Sequence, residues 1–119
     1  MNGNQNLDPA AIERLLRLGG AAFVCKMIDL FLSYAAEKVA EARRAQDSAD
    51  WAALAKAVHP IKSSAGNVGA VRVQELAQRL EQLSQQGEGG RLSDLVGELE
   101  QAFAAVKPEL EQKKQSVAG

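Results

Sequence analysis

Apolar residues recur at spacings of three and four along most of the chain, the period of an amphipathic α-helix. The stripes fall into five stretches separated by glycine, proline or short polar segments. They predict helices over residues 8–18, 20–45, 49–67, 70–86 and 90–112. Scarce aromatic residues, at 4%, with abundant alanine and leucine, favour helices over a β-sandwich. We therefore expect an all-α protein.

Capping residues and helix breakers mark the ends of these helices. Asp8 is a natural N-cap, Pro9 suits the first helical position, and the glycines at 19–20 end a short first helix. Asp47 or Ser48 can cap the third helix. Four long helices with short turns, preceded by this short one, predict an antiparallel up-down-up-down four-helix bundle. The whole chain, residues 1–119, is expected to be a single domain.

Two further expectations concern individual helices. The core stripe of the second helix is predicted to include Met27, Phe31 and Tyr34. Pro108 is expected to kink or end the fifth helix, and the tail "KKQSVAG" to fray.

Charge and hydropathy exclude several classes of protein. A net charge of -1 gives no basic field for nucleic acid. The most apolar stretch, residues 21–36, contains Lys26 and Asp29 and is too short to span a membrane. The N terminus has no secretory signal, so we expect a cytoplasmic protein. The single Cys25 cannot form an internal disulfide and reads as a buried filler, with a redox sensor as the alternative.

The only histidine of the chain, His59, is the candidate for chemistry. It falls about 130° from the centre of the apolar stripe of its helix, so its imidazole is expected to face solvent. Lys62 follows one turn later, and Ser63 and Gly66 lie on the same side. Pro60 is costly inside a helix, by about 3 kcal/mol. A concentration of residues unfavourable to helices around one imidazole is typical of functional sites.

Most kinds of histidine site need further residues that this sequence does not provide. Zinc needs about three protein ligands, and no second histidine or suitably placed cysteine exists. A hydrolytic triad needs a nucleophile and an acid in a pocket, and no glycine-rich phosphate loop follows a strand. The remaining chemistry is nucleophilic attack by the imidazole itself, by which a small group is transferred between partners. A phosphoryl group fits, because Lys62 can pair with its oxygens.

The stretch "AVHPIKSSAGNVGA" resembles the core motif of histidine-containing phosphotransfer (HPt) domains, roughly A-H-x-L-K-G-x-x-x-x-x-G-A. The positions that carry the resemblance are Ala57, His59, Ile61 in place of leucine, Lys62, Gly69 and Ala70. The stretch "LAQRLEQLSQQG" is similar to a later helix of the family, with Leu80 and Glu81 at the familiar place. In all, about 100 residues share the likeness. Ser63 stands where the family commonly has glycine, and Pro60 follows the histidine directly.

The resemblance implies a phosphorelay intermediate without ATP binding or kinase activity. His59 would accept a phosphoryl group from one receiver-domain aspartate and pass it to another. The partners would be receivers of response regulators and of a hybrid sensor histidine kinase. No cofactor is implied for this chain, since the receiver would supply Mg²⁺. Lys62 would stabilise the phosphoryl group, and Gly69 would help to shape the site.

Reflection about the predicted turns places parts of the neighbouring helices level with His59. Glu81 would orient Lys62 or the imidazole, or would be an ordinary exposed charge. We expect a monomer, with two alternatives: a non-catalytic adaptor that binds a receiver or kinase through the same face, and a structural module that dimerises through its glycines. The expected docking surface consists of Ser33, Ala36, Ala55, Lys56, Lys62, Ser63, Gly66 and Gln78.

Overall fold

Residues 6–87 and 89–118 are described in a computed structural model of the chain, and they form four α-helices and no β-strand. Helix α1 spans Pro9–Asp47, α2 spans Trp51–Val68, α3 spans Val71–Gln86 and α4 spans Gly89–Ala118. Helix α1 packs against α2 and α4, and α3 packs against the same two helices. The all-α class expected from the periodicity is confirmed.

Each helix contributes one apolar stripe to a common core. Ile28, Ile61, Leu80 and Leu99, one from each helix, are completely buried. Because α2 turns its stripe toward α1 and α3, its opposite face is left to solvent. His59 lies on that outer face.

The first predicted boundary coincides with a kink between two helical parts of α1. Asp8 caps α1 as expected, accepting a hydrogen bond from the Ala10 amide at 3.0 Å. The separate helix expected over residues 8–18 is joined to α1, which continues past Gly20. Gly20 alone leaves the helical dihedrals, with φ 83° and ψ -174°. Glycine reaches this positive φ without steric cost, so the chain bends there.

The N-terminal segment is fastened to the turn between α2 and α3. The Asp8 amide donates to the Gly69 carbonyl at 2.8 Å, and the Val71 amide donates to the Asn6 carbonyl at 3.1 Å. Gly69 is the C-cap of α2, with φ 80°. A Cβ there would lie 2.5 Å from the Asp8 carbonyl oxygen and 2.9 Å from Cβ of Ala11. Gly69 is therefore required by the left-handed turn and by the close approach of the N-terminal segment.

Two expectations about α1 and α2 are wrong. The cap of α2 is Asp50, whose side chain accepts from the Ala53 amide at 3.1 Å, whereas Asp47 ends α1 and Ser48 is its C-cap. Residues 48–50 reverse the chain, and the N-cap is the last of these three. Tyr34 is 40% exposed and does not belong to the core. It lies about 100° from the buried Ala35 around the helix, at the edge of the apolar stripe.

Helix α4 extends beyond the predicted end at residue 112 and through Pro108. Pro108 faces solvent, while Leu110, two residues later, is completely buried. Lys114 forms an ion pair with Asp29 of α1, and its carbonyl accepts from Sγ of the half-buried Cys25 at 3.7 Å. The tail expected to fray is helical as far as Ala118, and these contacts hold α4 against α1 at Lys114.

Candidate functional site

His59 stands on the outer face of α2 with 68% of its side chain exposed. Its Nδ1 lies 2.7 Å from Oε2 of Glu81, which belongs to the neighbouring helix α3. The exposure predicted from the helical periodicity is thus present. Nδ1 has a partner, and the other ring nitrogen, Nε2, lies on the part of the ring that faces solvent.

Glu81 bridges the histidine and the lysine of the predicted motif. Its Oε1 lies 2.5 Å from Nζ of Lys62, and its side chain is only 13% exposed. Lys62 follows His59 by three residues, so both side chains reach the same side of α2 and meet α3 at the same level. One carboxylate thus contacts both groups, so Glu81 is not an isolated exposed charge.

The charge of this carboxylate is stabilised by its partners. The hydrogen bond from Lys62 lowers the pKa of Glu81 below its ordinary value of 4.5, burial opposes this shift, and the contact with His59 adds to it. Glu81 is therefore ionised at neutral pH. An ionised carboxylate can only accept hydrogen bonds, so Nδ1 of His59 is the donor.

The assigned proton on Nδ1 determines what the other nitrogen can do. In a neutral imidazole with hydrogen on Nδ1, Nε2 carries a free electron pair. Within residues 6–87 and 89–118, no side chain or backbone group hydrogen-bonds to Nε2. The arrangement therefore presents a nucleophilic nitrogen to solvent, with a cation held nearby.

A shallow hollow of about 240 Å³ adjoins the imidazole between α2 and α3. Ala55 and Lys56, both expected in the docking surface, line it beside His59 and Glu81. Gln78 is exposed one turn before Glu81 on α3. The structure thus places Ala55 and Lys56 beside the histidine, whereas Gln78 does not line this hollow.

The small residues of the motif have different surroundings. Ser63 is exposed one turn after His59. Gly66 faces α3, where an added Cβ would lie 2.6 Å from Nε2 of Gln74. Gly69 is buried in the turn, about 15 Å along the axis of α2 from His59. The structure therefore does not bring Gly69 to the imidazole.

Ser33 and Ala36 are exposed on α1 but line neither of the hollows that α1 and α2 share. The side of α1 toward α2 instead carries Leu30, 55% exposed, and Tyr34. Leu30 lies about 140° from the buried Ala35 around the helix. This offset from the core stripe is the feature of the sequence that could have identified Leu30 as exposed. The apolar hollow, of about 250 Å³, is lined by Met27, Leu30, Phe31, Tyr34, Ser64, Asn67 and Val68.

Among residues 6–87 and 89–118, no group of three or more His, Cys, Asp or Glu side chains is placed to hold a metal ion. None of the four helices, over the same residues, is long and apolar enough to cross a membrane.

Comparison with known proteins gives two matches to this chain, one to its sequence and one to its fold. The family model described as Hpt domain matches residues 26–114, which is most of the chain. The crystal structure of histidine-containing phosphotransfer protein B (HptB) from Pseudomonas aeruginosa PAO1 superimposes with a TM-score of 0.88. That match has 24% sequence identity and covers 96% of this chain and 98% of HptB, so it shows a shared fold. A search of curated proteins found no match.

The extent of the family match decides the identity of the chain. Residues 26–114 include the whole of α2 and α3, and so the histidine, the lysine and the glutamate of the site. The chain belongs to the Hpt domain family and is a histidine phosphotransfer protein of phosphorelays.

Proposed function

We propose that His59 is the phosphoacceptor of this protein and that it exchanges a phosphoryl group with receiver-domain aspartates through Nε2. The observation that carries the proposal is the contact of Nδ1 with Glu81, which leaves Nε2 as the free ring nitrogen. The 68% exposure of the side chain leaves room for the active site of another domain to close over it.

The transfer needs no proton to move on this chain. Nε2 attacks the phosphorus of the aspartyl phosphate, a nitrogen–phosphorus bond forms, and the bond from phosphorus to the aspartate oxygen breaks. The aspartate leaves as a carboxylate, and the imidazole ring becomes positively charged with hydrogen still on Nδ1. Glu81 stabilises that charge through a hydrogen bond between ions, which is stronger than a neutral one. The return transfer runs through the same steps in reverse.

Lys62 supplies positive charge beside the reacting nitrogen. Its ammonium lies on Glu81 in the described state, and it carries three donors, so it can also reach phosphoryl oxygens. Pairing with them would offset the repulsion between the phosphoryl group and Glu81. We assign Lys62 to stabilisation of the phosphoryl group and Glu81 to positioning of both partners.

The proposed docking face surrounds His59 on α2 and α3. Ser63 and Gly66 have small side chains that leave room for a partner on this face. Its border is formed by Ala55, Lys56 and Gln78. Ser33 and Ala36 lie elsewhere around α1, so we leave them out of this face. The hollow lined by Leu30 and Tyr34 extends the face on its other side.

Hpt proteins interact with receiver domains in two-component relays, and we propose such domains as the partners here. Receivers of response regulators and of a hybrid sensor kinase fit the reversible exchange between aspartates. The supply of Mg²⁺ by the receiver, the absence of ATP binding and the cytoplasmic location stay predictions.

We further propose that the four helices run in alternating directions. The connections between them, residues 48–50, 69–70 and 87–88, have only two or three residues, which favours antiparallel neighbours. In this arrangement the part of α1 before the kink at Gly20 is the short N-terminal helix.

Transfer from a phosphorylated receiver tests the proposal. We expect the wild-type protein to take up an acid-labile phosphoryl label and His59→Gln to take up none. Lys62→Ala should retain the labelling but slow it by about 10- to 100-fold, the value of a charged hydrogen bond. Circular dichroism should show unchanged helicity in both variants.

Two results would contradict this function. Label retained by His59→Gln would remove His59 as the acceptor. Receiver binding by the wild-type protein without any transfer would instead indicate a non-catalytic adaptor.

A further inference from the structure

Helix α2 carries a proline in its interior, directly after the histidine. Pro60 is preceded in α2 by residues 51–59, and the helix continues to Val68. Proline has no amide hydrogen, so the carbonyl of Lys56, four residues earlier, lacks its regular helical donor. Among residues 6–87 and 89–118, no side chain and no backbone amide outside the helix itself donates to that oxygen.

The acceptor lies at the candidate site. Carbonyl groups in an α-helix point toward its C terminus, so that of Lys56 faces the turn containing His59 and Pro60. Lys56 is exposed and lines both the hollow shared with α1 and the hollow beside His59. It precedes His59 by about 4.5 Å along the axis. A domain that covers the imidazole therefore also covers Lys56.

A neighbouring carbonyl is already occupied. Oγ of Ser64 donates to the Pro60 carbonyl at 3.0 Å, so that oxygen has a second donor within the chain. The Lys56 oxygen has no such side chain. A backbone acceptor covered by a partner requires a donor, because an unsatisfied buried carbonyl is costly.

We propose that Pro60 frees the Lys56 carbonyl to accept a hydrogen bond from the receiver domain that docks over His59. The donor would be an amide or hydroxyl group of the receiver. Pro60 is then a specificity-determining residue: a receiver with a donor at this point docks well, and one without it leaves the carbonyl unsatisfied. The inference rests on the proposed phosphotransfer and adds a contact to it.

Helix α4 offers a matched control. Pro108 also lies inside a helix, where it is exposed whereas Pro60 is half-buried, and it frees the carbonyl of Ala104 in the same way. The hollow around Pro108 is lined only by residues of α4. Replacement of either proline by alanine restores one helical hydrogen bond, and only Pro60→Ala removes an acceptor beside His59.

The experiment compares Pro60→Ala with Pro108→Ala. Phosphoramidate, which transfers its phosphoryl group to imidazole and releases ammonia, reports on His59 without docking. We expect equal labelling of both variants and the wild type by phosphoramidate, and a higher unfolding temperature for both variants. With a phosphorylated receiver, Pro60→Ala should raise KM about 3- to 10-fold at unchanged kcat, the effect of one hydrogen bond. Pro108→Ala should leave KM unchanged.

Binding gives a second readout that does not depend on transfer. In the His59→Gln background, Pro60→Ala should weaken receiver affinity by the same 3- to 10-fold in calorimetry, and Pro108→Ala should not. Equal KM and equal affinity for the two proline variants would overturn the inference. An altered rate with phosphoramidate in Pro60→Ala would also overturn it, since Pro60 would then act on His59 itself. Failure of the wild type with both phosphoryl donors would instead reject the proposed function.

Discussion

At the scale of single residues, the site depends on one carboxylate with two partners. Glu81 uses one oxygen for Nδ1 of His59 and the other for Nζ of Lys62. Glu81 itself is only 13% exposed, whereas both of its partners are reached by solvent. The imidazole therefore contacts a residue 22 positions later in the chain, to which we assign its positioning.

The lowered pKa of Glu81 predicts a pH dependence of stability. A carboxyl whose pKa is lower in the folded than in the unfolded protein stabilises the fold above its ordinary pKa of 4.5. That contribution is lost as the pH falls through the lower folded pKa. Urea unfolding from pH 7 to about pH 2.5 should therefore show a smaller loss of stability in Glu81→Gln than in the wild type. An identical acid dependence in the two proteins would contradict the lowered pKa.

Glu100→Gln separates this stability effect from the effect on transfer. The pKa of Glu100 is lowered by its hydrogen bond with Arg43, far from His59 along the chain. Both glutamine variants should lose part of the stability above pH 4.5. Only Glu81→Gln should slow labelling by a phosphorylated receiver, by about 10- to 100-fold.

At the scale of helices, the sequence predicted those features that depend only on residues close together in the chain. The apolar stripes predicted all four described helices, and the Asp8 cap and the outward face of His59 follow from neighbours within a few residues. Features that depend on distant parts of the chain could not be predicted. The continuation of α4 beyond Pro108 depends on the burial of Leu110 in the core and on the ion pair between Lys114 and Asp29.

Gly69 shows the same limit at the turn between α2 and α3. Its place in the motif suggested a role in shaping the site, whereas its contacts are with Asp8 and Ala11. Gly87 provides a comparison, because it has φ 73° at the C-cap of α3 and no atom within 4 Å of an added Cβ. Gly87→Ala therefore isolates the cost of the left-handed conformation.

We expect Gly87→Ala to lower the free energy of unfolding by about 1–2 kcal/mol. Gly69→Ala should lower it by a further 1–3 kcal/mol, since the new methyl group displaces the N-terminal segment. Urea unfolding measures both values. Folded Gly69→Ala should still exchange phosphoryl groups at the wild-type rate. Equal destabilisation by the two substitutions would contradict this, because displacement of the N-terminal segment by the methyl group would then cost no free energy of unfolding.

At the scale of the whole molecule, α2 lies between α1 and α3 and carries the reactive face outward. Apolar exposure on its α1 side is concentrated at Leu30 and Tyr34. Apolar surface of this kind either meets a partner domain or joins two copies of the chain. Self-association through it would cover the neighbourhood of His59 and compete with a receiver.

Because the transfer needs this face free, we expect the protein to be a monomer in solution. Light scattering should give the mass of one chain across a wide range of concentrations, and X-ray scattering a radius of gyration close to the 14.6 Å of the Cα atoms. Leu30→Ser should change neither value. A mass that rises with concentration, and falls back to one chain in Leu30→Ser, would contradict the monomer. It would show that a second copy of the chain occupies the surface assigned here to the receiver.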